Sequence, residues 1–164
     1  MTVEDDATRH IWIDRAHPQI YRAQIEVAKA VRAAVADAGL DRILVELVNV
    51  RVSQLNRCAF CLHIHTRDAL RAGETTQRLG VLPAWRETPL FTDAERAALT
   101  LAESLTLLPD SSTQERDQAE ARAHLSEEQF SAVCWVIVAM NAFNRISIVS
   151  HHPVPLAAAP KTTS

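Results

Sequence analysis

Asn56-Arg57-Cys58-Ala59-Phe60-Cys61-Leu62-His63-Ile64-His65-Thr66-Arg67-Asp68-Ala69-Leu70-Arg71-Ala72-Gly73 sets two cysteines three apart and two histidines close behind. Wound as a helix at about 100° per residue, with Cys58 at zero, Cys61 falls near 300° and His65 near 340°, while His63 falls near 140°. Cys58, Cys61 and His65 therefore share one face, and His63 lies on the other side. Both sulfurs belong to the first turn, where unpaired N–H groups and the positive end of the dipole favour a thiolate. A histidine one turn along can take the thiol proton. Sulfurs at i and i+3 can also close into a disulfide with little backbone change.

The surrounding chain reads as helical throughout. Only three glycines occur in 164 residues, too few for the turns of a sandwich or barrel. Proline is absent from Gln19 to Leu82 and from Asp110 to His152. Pro18 opens a helix whose apolar stripe reads Ile20, Ala23, Val27, Val31, Ala34 and Ala38, with Gly39 just past its end. Asp41 caps a second helix with Leu44, Leu47, Val48, Val52 and Leu55 inward, weakening at Asn56-Arg57. A third runs through the cysteine pair to Gly73. Thr92 with Glu95, and Ser126 with Gln129, form capping boxes for two more. The first of these carries Ala98, Leu101, Leu105 and Leu108 and stops at Pro109. A short polar helix falls between them at 114–123. The expectation is an all-α bundle of about six helices in one domain, with a core at about 18–150 and a loose tail at 151–164.

Composition narrows the function classes. The chain is 48% hydrophobic and 23% charged with a net charge of −3, and its 17 basic residues are scattered, so no nucleic-acid partner is expected. The most apolar run, Phe130 to Phe143, is 14 residues long and contains Asn141, short of the roughly 20 a spanning helix needs, so no membrane is expected. The start, MTVEDDATRHIW, is acidic and unlike a signal peptide, and three cysteines are too few for a disulfide scaffold. A cytosolic location with reduced thiols follows as the expectation.

Several readings of the cysteine stretch compete on these grounds. A closed zinc site needs four ligands, and Cys58, Cys61 and His65 supply three, so no metal or other cofactor is expected. Thioredoxin-type chemistry needs a preceding strand, where this chain has a helical pattern. Cysteine can also serve as a small core residue, which is the reading for Cys134. His63 reads as a surface or interface side chain. His10, His17, His124, His151 and His152 show no partner spacing.

Glu46 stands twelve residues before Cys58, and Glu46…Cys58-Ala-Phe-Cys61-Leu-His-Ile-His65 resembles the E-x₁₁-C-x-x-C-x-x-x-H signature of alkylhydroperoxidase D-like proteins. These belong to the carboxymuconolactone decarboxylase-like superfamily. The blocks SQLNRCAFCLHIHTRDALRAGE, AWRETPLFTDAERAALTLAESLTLL and NAFNRI carry the likeness over about 40–148. The resemblance implies an all-α fold assembled as trimers or hexamers, and a thiol-dependent peroxidase or disulfide reductase acting on hydrogen peroxide or organic hydroperoxides. It implies that Cys61 attacks the peroxide, Cys58 resolves the product, and His65 with Glu46 relays the proton. A dithiol reductant, of lipoyl type in some members, would restore the pair. In the best-studied type a second histidine stands inside the C-x-x-C pair, and here that slot holds Phe60. A lactone decarboxylase-like enzyme is the alternative within the superfamily, although those members generally lack the cysteine pair. A redox-sensing oligomer is the non-enzymatic alternative. On one continuous helix Glu46 would lie about 18 Å from Cys58, so the relay requires a chain reversal near Asn56.

Overall fold

A computed structural model describes residues 10–156. The part of the expected loose tail at 157–164 lies outside the described residues. Eight α-helices are present among them: α1 (Ile13–Ala16), α2 (Pro18–Asp37), α3 (Arg42–Leu55), α4 (Ala59–Arg71), α5 (Thr76–Val81), α6 (Asp93–Leu107), α7 (Ser111–Arg122) and α8 (Glu127–Val149). A 3₁₀ segment, Leu82–Glu87, follows α5 directly. No strand occurs among the described residues. The expected all-α bundle therefore stands, and two short helices, α1 and α5, join the six. Four and six residues are too few to show a helical period in sequence.

The local signals for helix starts are realised. Asp41 accepts the Ile43 N–H, Thr92 the Glu95 N–H and Ser126 the Gln129 N–H, and in both capping boxes the return bond is made. Each cap satisfies a donor the helix leaves unpaired and contributes about 1 kcal/mol. The C-terminal end of α6 departs from expectation. Leu108 turns left-handed (φ 50°) and is 66% exposed rather than part of the inner stripe.

The bundle is organised on α3, α6 and α8, which pack on one another, with α2 against α8, α4 against α3 and α7 against α6. Val48, Val52, Ala98, Leu101, Val133 and Ile137 are buried in the shared core. α8 runs 23 residues, longer than its most apolar stretch, and by length and composition it could cross a membrane. In the bundle it is the central helix, with Ala132, Val133, Val136, Ile137 and Met140 buried and Asn144 and Ser147 buried among them.

The stripe expected on α2 is only partly the one that packs. Ile20 and Val27 are 65% and 41% exposed, and the side facing α8 and the core carries Val31 from the expected stripe together with Tyr21, Ile25, Ala28 and Val35. An alanine-rich helix offers two nearly equal apolar stripes, and tertiary contact chooses between them.

Candidate active site

The chain reverses between α3 and α4. Arg57 takes a left-handed conformation (φ 57°), and Asn56 is tied to α8 by donating to Asn141 Oδ1 and Asn144 Oδ1, both at 2.9 Å. Asn144, fully buried, donates in turn to Ser53 Oγ at 3.1 Å. This amide network fastens the end of α3 to the core helix and sets α4 antiparallel beside it. The asparagines are isolated polar positions in apolar helices, and spacing alone does not assign them this task.

Cys58 caps α4 rather than lying within it, and Cys61 sits in the first turn. The two are disulfide-bonded, with Cα atoms 5.4 Å apart. The Cys61 backbone N–H donates to Cys58 Sγ at 3.3 Å. Both cysteines are buried, but only Cys61 lines the adjoining cavity.

The reversal delivers Glu46 to His65. Glu46 Oε2 accepts from His65 Nδ1 at 2.7 Å, and Arg42 donates to Glu46 Oε1 at 2.9 Å. Asn49 makes a longer contact to Oε2 at 3.4 Å. Glu46 is 3% exposed, so it is no ordinary surface carboxylate. Burial alone would raise its pKa. The hydrogen bond and charge of His65, the charge of Arg42 and the Asn49 amide outweigh burial, and the carboxyl is held below its ordinary value. An ionised Glu46 can only accept, so His65 Nδ1 is the donor and its Nε2 is the ring nitrogen not bonded to Glu46.

Cys61 and His65 open on a cavity of about 350 Å³ among α2, α3, α4 and α8. Its walls are mostly apolar and include Ile25, Val45, Ile64, Met140 and Phe143. His152, from the segment after α8, also lines it and packs edge-on against Phe60 with ring centroids 5.2 Å apart. The beginning of the expected loose tail is thus part of the site. His152 lies 87 residues beyond His65 in the chain (152 − 65 = 87), and no local spacing marks it. His63 lies away from this cavity, beside Arg67 and Arg71 on a shallow surface groove. Among the described residues no group of three or more His, Cys, Asp or Glu side chains is placed to hold a metal ion.

This fold agrees with what the chain is similar to. The chain belongs to the carboxymuconolactone decarboxylase family, whose sequence pattern matches residues 18–104. It is 41% identical over 111 residues to the uncharacterised protein YdfG of Bacillus subtilis, covering 68% of this chain and 76% of that one. It is 34% identical over 70 residues to the uncharacterised protein YnjA of Escherichia coli, covering 43% and 38%. A crystal structure from Agrobacterium tumefaciens superposes with a TM-score of 0.81 at 27% identity, over 90% of this chain and 99% of that one. That protein's function is unknown, and it has been suggested to be the antioxidant defence protein AhpD. The debrominase Bmp8 shares the fold, with a TM-score of 0.72 at 18% identity over 85% and 73% of the chains.

Proposed function

We propose that this protein is a thiol-dependent peroxidase that reduces hydroperoxides through Cys61 and Cys58. The observation that carries the reading is the joint placement of the Cys58–Cys61 pair and the Glu46–His65 pair at one cavity. The suggested antioxidant role of the Agrobacterium neighbour agrees with it.

In the reduced protein His65 Nε2 takes the Cys61 proton, and Glu46 stabilises the imidazolium. The Cys61 thiolate attacks the terminal peroxide oxygen. The O–O bond breaks, the alkoxide leaves as an alcohol after gaining a proton, and Cys61 becomes a sulfenic acid. Cys58 attacks that sulfur, hydroxide leaves as water with the thiol's proton, and the disulfide forms. An external dithiol then attacks Cys61, with Cys58 leaving as a thiolate, and is itself oxidised to a disulfide. The N–H that Cys58 Sγ accepts favours that departure. Access only at Cys61 supports its role as the attacking sulfur. Exposed Trp135 and Val138 on α8, one turn apart, support self-association, which sedimentation would measure.

The test follows Cys61 directly. Reduced protein is mixed with cumene hydroperoxide, and the thiols are quenched and weighed by mass spectrometry. The parent should form the Cys58–Cys61 disulfide, and Cys58→Ser should hold a sulfenic acid that dimedone traps at Cys61. If Cys61→Ser consumes peroxide as fast as the parent, the assignment is wrong.

A further inference from the structure

Two segments far apart in sequence clasp around His152, which lines the cavity. The Ile13 N–H donates to Ser150 Oγ at 3.2 Å, His10 stacks on His151 at 3.9 Å, and Trp12 lies against His152 at 5.1 Å. The clasp holds His152 Nε2 3.4 Å from Asp14 Oδ1, with both side chains largely buried at 10% and 14% exposure. The cavity wall therefore bears a second histidine, on a different element from Cys61 and unused by the chemistry above, and Asp14 holds its Nε2 from outside the cavity lining.

Peroxide displacement gives this pair a task. The sulfur attacks in line with the breaking O–O bond, so the leaving oxygen points away from Cys61. His65, one turn along the same helix, is committed to the sulfur. An acid for the leaving oxygen has to come from another wall, and the C-terminal segment supplies one. We propose that His152, held by Asp14, is the general acid that protonates the leaving alkoxide. Cys61 S⁻ forms its bond to the terminal oxygen as the O–O bond breaks, and the alkoxide takes the proton of the His152 imidazolium. Asp14 stabilises the charged ring until that transfer, and the neutral ring is then reprotonated from solvent. The other ionisable groups on this cavity are Tyr21, Arg32, Cys61 and His65. Phe60, edge-on to the ring, fixes its orientation as a positioning residue.

This inference rests on the peroxidase reading and is tested by changing the leaving group. An alkoxide needs a proton to depart, whereas the carboxylate expelled from a peracid does not. Disulfide formation is timed in single turnovers with cumene hydroperoxide and with peracetic acid. His152→Asn should slow the first by about 10²-fold and the second by less than about threefold. Asp14→Asn should act in the same direction, by about tenfold on cumene hydroperoxide. The ratio of the two rates guards against a merely structural effect, because a distorted site would slow both oxidants alike. An unchanged ratio in His152→Asn, whatever the absolute rates, overturns the assignment while leaving Cys61 as the nucleophile. If the parent reacts with neither oxidant at Cys61, the peroxidase reading falls, and this role falls with it.

Discussion

Replacing Glu46 by glutamine keeps the shape of the side chain and removes its charge. In the folded protein the carboxylate accepts from His65, whose side chain is 21% exposed, and pairs with Arg42, whose side chain is 62% exposed. A hydrogen bond to a charged group contributes about 1.5–3 kcal/mol and a neutral one about 0.5–1.5, so neutralising the His65 partner costs about 1–1.5 kcal/mol. The solvated Arg42 pair adds only about 0–1 kcal/mol. Glu46→Gln should therefore lose about 2 kcal/mol at pH 7.5. The pH dependence has a definite sign. The folded carboxyl is held below its ordinary value, so its contribution is complete above the unfolded pKa of about 4.3 and disappears as pH falls through the folded value. Urea unfolding of oxidised parent and variant at pH 7.5, 5 and 3 reads this directly. The gap should be full at pH 7.5 and shrink at pH 3. A gap of the same size at pH 3 would refute the argument, because lost shape rather than lost charge would then be its source. So would a gap below about 0.5 kcal/mol at pH 7.5, the range of an ordinary surface substitution.

Reducing the Cys58–Cys61 bond opens a loop of only four residues, worth about 2 kcal/mol of chain entropy, so calorimetry should show Tm lower by roughly 4–8 °C with folding intact. Asn144→Ala removes one of the two acceptors of the Asn56 amide and the donor to Ser53 Oγ and should cost about 2–4 kcal/mol in urea unfolding, far more than an exposed asparagine would. Burial pushes the Cys134 thiol up to about 11. At pH 8 only about one thiol in 10³ is then ionised, so a disulfide reagent should label Cys134 in the oxidised protein orders of magnitude more slowly than a free thiol, and faster as pH rises.

The short-range features of this chain were legible in its sequence. A cap needs a side chain within three residues of the N–H it receives, so Asp41, Thr92 and Ser126 announced their helices. Cys58, Cys61 and His65 span only two helical turns, and the period of the helix alone put them on one face. Glu46 came only with the family resemblance. Its distance from His65 depends on a reversal built from Arg57 and from amides that α8 supplies from more than 80 residues away. The face that α2 buries was legible only in part, at Val31, because its alanines leave two apolar stripes of similar strength and contact with α8 selects between them. His152 and Asp14 are 138 positions apart and meet only because the two ends of the described chain pack on each other. Helix type and the cysteine face are properties of neighbouring residues, which the sequence states by itself. The carboxylates, the second histidine and the cavity are properties of packing, and packing exists only once α3, α4 and α8 have met.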